Sequence, residues 1–125
     1  MADLSGTWLG TYWQIGFPTR FEATLIQSGK SLSGSILDDG DLGEAQASGE
    51  VIGRNVQFTK KYLNQPKYTI SYTGTLSENE DFMQGQWRIG WFESGSWEAR
   101  RSGENLLMEL QTRQKQFVSL GVSQD

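Results

Sequence analysis

Few groups in this chain could do chemistry, and they are concentrated in a handful of places. Lys60 stands between Phe58 and Tyr62 at a spacing of two, which puts all three on one face of a strand. An unpaired ammonium on an inward face is costly, so this lysine must meet a carboxylate, bind an anionic ligand, or run its stem along the wall and release its charge to water. Tyr62, Tyr68 and Tyr72 fall on inward positions of two neighbouring periodic segments. With the amide of Gln14 they would give an apolar space several polar handles, suited to recognising a small, partly aromatic or anionic molecule. The same tyrosines could equally satisfy one another in a filled core. Asp38-Asp39-Gly40-Asp41, with Glu44 close by, offers oxygens to a hard cation, but it lacks the spacing and final bidentate glutamate of a helix–loop–helix calcium site and reads better as a solvated turn. Asp38, Lys60 and the tyrosines are the groups an enzyme could use, since Glu44 and Glu50 face outward. No paired-carboxylate or nucleophile pattern emerges, and no catalytic residue is assigned.

What is missing narrows the field further. The 125 residues include no Cys and no His, which removes disulfides, thiolate and imidazole metal sites, Ser–His and Cys nucleophile systems, and histidine-ligated haem. No cofactor is expected. Eleven basic against fifteen acidic residues give a net charge of −4, with the basic residues scattered except around Lys60, Lys61 and Lys67, so no nucleic-acid partner is expected. The opening Met-Ala-Asp-Leu-Ser has no basic or apolar leader, and no stretch approaches the roughly 20 apolar residues of a spanning helix. The expectation is a cytoplasmic protein without a membrane partner.

The elements that must position these groups are strands. Fifteen glycines, fifteen aromatic residues and two prolines suit many short strands and tight turns. Trp8, Gly10, Tyr12 and Gln14 share a face; so do Phe21, Ala23 and Leu25; Leu32, Gly34 and Ile36; Ala45, Ala47, Gly49 and Val51; and Val56, Phe58, Lys60 and Tyr62. Tyr68, Ile70, Tyr72, Gly74 and Leu76 give the clearest alternation, followed by Met83, Gly85, Trp87 and Ile89 and by a last strand through Trp97 and Ala99. Gly53-Arg54 reads as a two-residue hairpin turn, whereas Gly16-Phe17-Pro18-Thr19 reads as a break. An eight-stranded meander left open would expose two long edges. The predicted fold is therefore all-β: an eight-stranded antiparallel up-and-down barrel over residues 1–101, its inward glycines making room for Trp8, Phe58, Tyr72 and Trp87. Residues 102–125 read as a short helix, capped by Ser102 and striped by Leu106, Leu110, Phe117 and Leu120, or as a tail, packed on the barrel or partly disordered.

In a meander the connections alternate between the two ends. One end collects Ile15–Thr19, Asp38–Gly43, Leu63–Lys67 and Gly90–Gly95, and with them Phe17, Trp91 and Phe92, so it is expected to be the working mouth. The candidate ligand-binding residues are Tyr12, Gln14, Phe17, Lys60, Tyr62, Tyr68, Tyr72, Trp87, Trp91 and Phe92.

Gly6-Thr7-Trp8 at the start of the first strand, Leu32-Ser33-Gly34, and Trp97-Glu98-Ala99-Arg100-Arg101 in the last strand together resemble the calycin group of avidins, lipocalins and fatty-acid-binding proteins, over about residues 4–101. The resemblance implies a barrel that binds something inside, with Trp8 at the closed end and Arg101 packed across it. It stops short of particular ligands. An avidin-like site would have Asn and Ser where Gly10 and Gln14 stand, the similar opening of nitrobindin-like haem barrels comes here without a histidine, and lipocalin disulfides have no cysteines to form them.

The function expected is a non-catalytic binding module holding a small organic ligand, partly apolar or anionic, at or inside the open end of the barrel. The alternative is an interaction or homo-oligomeric assembly protein using the outer Trp13 and Leu9, the rim, or the tail stripe. An enzyme acting through Lys60 and the tyrosines is the third reading.

Overall fold

A computed structural model of the chain describes residues 3–65, 67–91 and 93–102. Eight strands follow in order: β1 Gly6–Gln14, β2 Phe17–Ser28, β3 Ser31–Asp38, β4 Glu44–Ile52, β5 Asn55–Tyr62, β6 Thr69–Leu76, β7 Phe82–Ile89 and β8 Glu93–Arg101. Each pairs antiparallel with its neighbour in sequence, and β8 pairs back to β1 to close the ring. The all-β meander barrel is the fold that the alternation predicts. Of the helix or tail expected over 102–125, residues 103–125 lie outside the described residues.

Closure follows from the alternation. The inward sets read from the spacing are largely buried, including Phe21, Ala23 and Leu25 on β2 and Val56, Phe58, Lys60 and Tyr62 on β5, while Gln14 and Tyr68 at the mouth are exposed, so one face of a continuous sheet must curl around a shared core. Glycine makes the narrow interior possible where large rings cross it. A Cβ on Gly74 would lie 2.6 Å from Cζ2 of Trp97, and one on Gly10 would lie 2.2 Å from Cζ of Phe21, so at both positions the ring occupies the space of the missing side chain. Trp97 thereby reaches the middle of the barrel and packs edge-on against Phe58 and Tyr72, whose rings stack 4.8 Å apart.

One end is sealed. Trp8 is fully buried and donates its indole N–H to Leu4 O at 2.9 Å. The Arg101 guanidinium lies 4.6 Å from the Trp8 ring centroid, and it donates to the carbonyls of Glu80, Ser5 and Asp3. The arginine thus ties the β6–β7 connection and the segment before β1 across the floor. The turns at this end are tight, Gly53 taking the left-handed φ of 61° that the hairpin requires.

The other end is built differently, and here the structure corrects the expected boundaries. Ile15 and Gly16 both adopt left-handed φ, 49° and 79°, the geometry of a two-residue hairpin that matches strand twist. The chain therefore returns at once, and Phe17 and Pro18 belong to β2, opposite Gln14 and Trp13, instead of forming a break. Likewise Asp38 ends β3 and Glu93 begins β8, where the sequence suggested loops. Near this end the β1–β8 ladder stops early: it runs from Trp8↔Arg101 to Tyr12↔Trp97 and leaves Trp13 and Gln14 unpaired with β8.

Candidate functional site

Asp38 continues the inward parity of Leu32, Gly34 and Ile36, and Lys60 continues that of Val56 and Phe58. The two strands are separated by β4, whose inward residues in this region are Ala45 and Ala47, paired with Tyr62 and Lys60. These small side chains leave a path for the lysine stem across the interior. Lys60 Nζ reaches both carboxylate oxygens of Asp38 at 2.8 Å, with the lysine 0% and the aspartate 5% exposed. Of the fates open to Lys60, pairing with a carboxylate is the one realised, and its charge does not emerge into water. The lysine also does not line the cavity described below; it sits within the core.

Two phenols complete the network. The Tyr62 hydroxyl donates to Asp38 Oδ2, and Tyr12 donates to the same oxygen at 3.2 Å. Around the ammonium stand four rings, with centroids at 4.8 Å for Tyr62, 4.9 Å for Tyr12, 5.7 Å for Tyr72 and 5.9 Å for Phe21. Buried charge of this kind is tolerable because every strong group has a partner. Burial pushes the Lys60 ammonium below the ordinary lysine range, with Asp38 acting the other way. Burial and then the hydrogen bond and charge of Asp38 push the Tyr62 phenol far up, and burial followed by the same charge raises Tyr72 and Tyr12. Tyr12, Tyr62 and Tyr72 are therefore held in their neutral, protonated form.

Above this network, at the end where the β1–β8 ladder stops, is an open cavity of about 400 Å³. Six of the ten candidate residues line it: Tyr12, Gln14, Tyr62, Tyr68, Tyr72 and Trp87. Leu42, Gln65, Ile70, Ile89 and Glu93 complete the wall. Trp87 is held in place by its indole N–H, which donates to Trp13 O at 3.1 Å. Gly95 permits that approach, since a Cβ there would lie 2.6 Å from the indole nitrogen. Across the unpaired part of the seam, Gln14 Nε2 donates to Glu93 Oε2 at 3.0 Å.

Two candidates are elsewhere. Phe17 is 75% and Trp91 90% exposed, and neither lines the cavity. The immediate turn at Ile15-Gly16 carries Phe17 beyond the rim, and Trp91 sits at the tip of the β7–β8 connection. Phe92 lies outside the described residues. Asp38 and Glu93 are the functional groups that sequence reasoning assigned to loops, although strand parity, counted on from Ile36 and back from Trp97, points both of them inward. With Asp38 drawn into the core, the suggested oxygen cluster in Asp38–Gly43 loses its first ligand, and the described residues contain no group of three acidic side chains close enough to hold a metal ion.

No family model matches the chain, and no curated protein matches it. Among solved structures it is similar to a de novo designed fluorescence-activating β-barrel, with a TM-score of 0.61 and 18% identity over 82% of this chain and 100% of the other. At that identity the likeness speaks for the eight-stranded barrel architecture.

Proposed function

We propose that the protein is a non-catalytic binding module that takes a small organic ligand into the cavity at the barrel mouth. One observation carries this reading: the interior is packed solid from Trp8 up to the Lys60–Asp38 pair and then opens into about 400 Å³ of space walled by tyrosines, Trp87 and isoleucines. A cavity of this size and composition matches the usual dimensions of a small-molecule site, roughly 300–1,000 Å³ with mainly apolar walls and a few fixed polar groups. Here Gln14, Gln65, Glu93 and the phenols supply those groups. The barrel with which it shares its architecture was designed to activate fluorescence, which accords with ligand binding inside such a ring. An enzyme working through Lys60 is disfavoured, because the ammonium has no surface to present to a substrate.

The reading is tested by recording amide and indole NMR spectra while titrating neutral aromatic fragments. Shifts should concentrate at Tyr68, Tyr72 and Trp87 and be lost in Ile89→Trp, which fills the cavity. Shifts spread over the outer wall, or unchanged in that variant, would refute it.

A second reading has its own observation. Leu9 and Leu37 are exposed on the outside of the barrel beside a groove flanked by Arg20, Asp39, Glu98 and Arg100, a surface suited to assembly. Sedimentation that stays monomeric at high concentration would remove it.

A further inference from the structure

The charge and hydrogen-bond polarity of the mouth cavity go further than its size, and they specify a class of ligand. We propose that, as the binding site just described, the cavity selects organic cations: a protonated amine carried on a small aromatic or apolar body.

Among the described residues lining the cavity, Glu93 is the only charged side chain. Its described hydrogen bond comes from the neutral amide of Gln14, and no lysine or arginine pairs with it among the described residues. The lysine beneath the cavity cannot serve an anion. Lys60 is fully enclosed, and both oxygens of Asp38 neutralise it. An incoming carboxylate or phosphate would therefore lose its hydration, meet Glu93 and find no cation among the described lining residues, which is an unfavourable exchange.

The phenols point the same way. Tyr12 and Tyr62 commit their protons to Asp38, so toward a ligand each oxygen has only lone pairs to offer. Gln14 spends an N–H on Glu93, keeping its carbonyl oxygen as an acceptor. The buried ion pair is thus an orienting device: it converts two ambivalent hydroxyls into acceptors. The hydroxyls of Tyr68 and Tyr72 and the amide of Gln65 can donate or accept, so the two committed phenols tip the balance toward a ligand that brings donors, and an ammonium brings up to three.

The walls complete the match. Tyr68, Tyr72 and Trp87 present aromatic surface, and the negative face of such rings attracts a cation within about 6 Å. The protein already stabilises one ammonium in this material, since Tyr12, Tyr62 and Tyr72 all stand within 6 Å of Lys60 Nζ. The cavity repeats the motif one layer higher, with Glu93 in the part of Asp38 and without its lysine.

The experiment uses three probes of similar shape, 2-phenylethylammonium, 2-phenylethanol and 3-phenylpropionate, titrated at neutral pH and followed by the Trp87 indole resonance. The ammonium should bind about tenfold or more tightly than the other two, the scale of one charge-assisted hydrogen bond. Glu93→Gln should erase that preference, bringing the ammonium's affinity down to that of the alcohol measured on the same variant, whereas Glu22→Gln, the same charge change on the outer face of β2, should leave the preference intact. Equal or tighter binding of the carboxylate, or a preference that survives Glu93→Gln, overturns the assignment of charge while the site itself stands. Silence from all three probes overturns the site and the cation assignment together.

Discussion

Replacing Asp38 by Asn removes one charge from the centre of the network and changes little in volume. The Lys60 ammonium, 0% exposed, would be left facing a single amide oxygen in place of two carboxylate oxygens at 2.8 Å, while Tyr12 and Tyr62 compete for the same acceptor. Breaking a buried pair by removing one partner costs about 3–5 kcal/mol, which is a large part of the roughly 5–15 kcal/mol that holds a domain together. For a chain of this size that corresponds to a drop of about 10–20 °C in Tm. Urea unfolding should show a lower midpoint with an unchanged slope. The deficit should shrink as pH rises toward 10.5. Burial places the folded-state pKa of Lys60 below that value, so in the window between them the unfolded chain binds more protons and raising pH favours the fold. The double variant Asp38→Leu/Lys60→Met, which removes both charges, should recover most of the loss. A single variant within about 1 kcal/mol of the parent, or a double variant no better than the single, would show that the pair is not the buried, mutually dependent unit described above.

Other consequences can be measured separately. Tyr62 and Tyr72 keep their protons in the fold well above the ordinary phenol value of 10.0, so stability is intact below pH 10 and falls above it by about 1.4 kcal/mol per pH unit for each retained proton. Lys60 opposes this fall only up to its unfolded value of 10.5; Tyr72→Phe should make the alkaline limb shallower by one proton, as read from urea midpoints across pH. Gly49→Ala would place a Cβ 1.9 Å from the Gln57 carbonyl oxygen and should destabilise by about 1–3 kcal/mol through backbone displacement, whereas Gly29→Ala, at a turn with open space around it, should cost less despite its positive φ of 61°. Trp8→Ala should cost about 3–5 kcal/mol without weakening fragment binding at the mouth, because Trp8 belongs to the sealed end; a selective loss of binding would contradict the division of the barrel into floor and mouth.

Much of this architecture was legible because a barrel writes itself into a chain as parity. Counting by twos from Trp8, Phe21 or Val56 places the inward residues of each strand correctly, and the edge argument then closes the sheet. Parity failed only where composition overruled it. Asp38-Asp39-Gly40-Asp41 looks like a turn, so composition assigns Asp38 to the loop although it extends Leu32, Gly34 and Ile36; its buried carboxylate is tolerated only because Lys60, two strands away, pairs with it. Neither residue explains itself alone. Gly16-Phe17-Pro18 looked like a break because the turn begins one residue earlier, at Ile15, whose φ of 49° is unusual for a β-branched side chain and has no signature in composition. The distinction between mouth-lining and exposed aromatics, Tyr68 against Trp91, depends on the path of individual loops, which strand periodicity does not encode.

The incomplete ladder between β1 and β8 also bears on how the molecule comes to be a ring. Seven of the strand junctions join neighbours in sequence, and each can zip as a local hairpin; the eighth joins residues from the two extremities of the barrel, with only Trp8 through Tyr12 engaged. That clasp carries the greatest loop-closure entropy and forms last. Until it does, the nascent sheet has two free edges of matching register, and a neighbouring chain can offer the same edge as the chain's own end. At high protein concentration, refolding is thus a contest between self-closure and strand exchange.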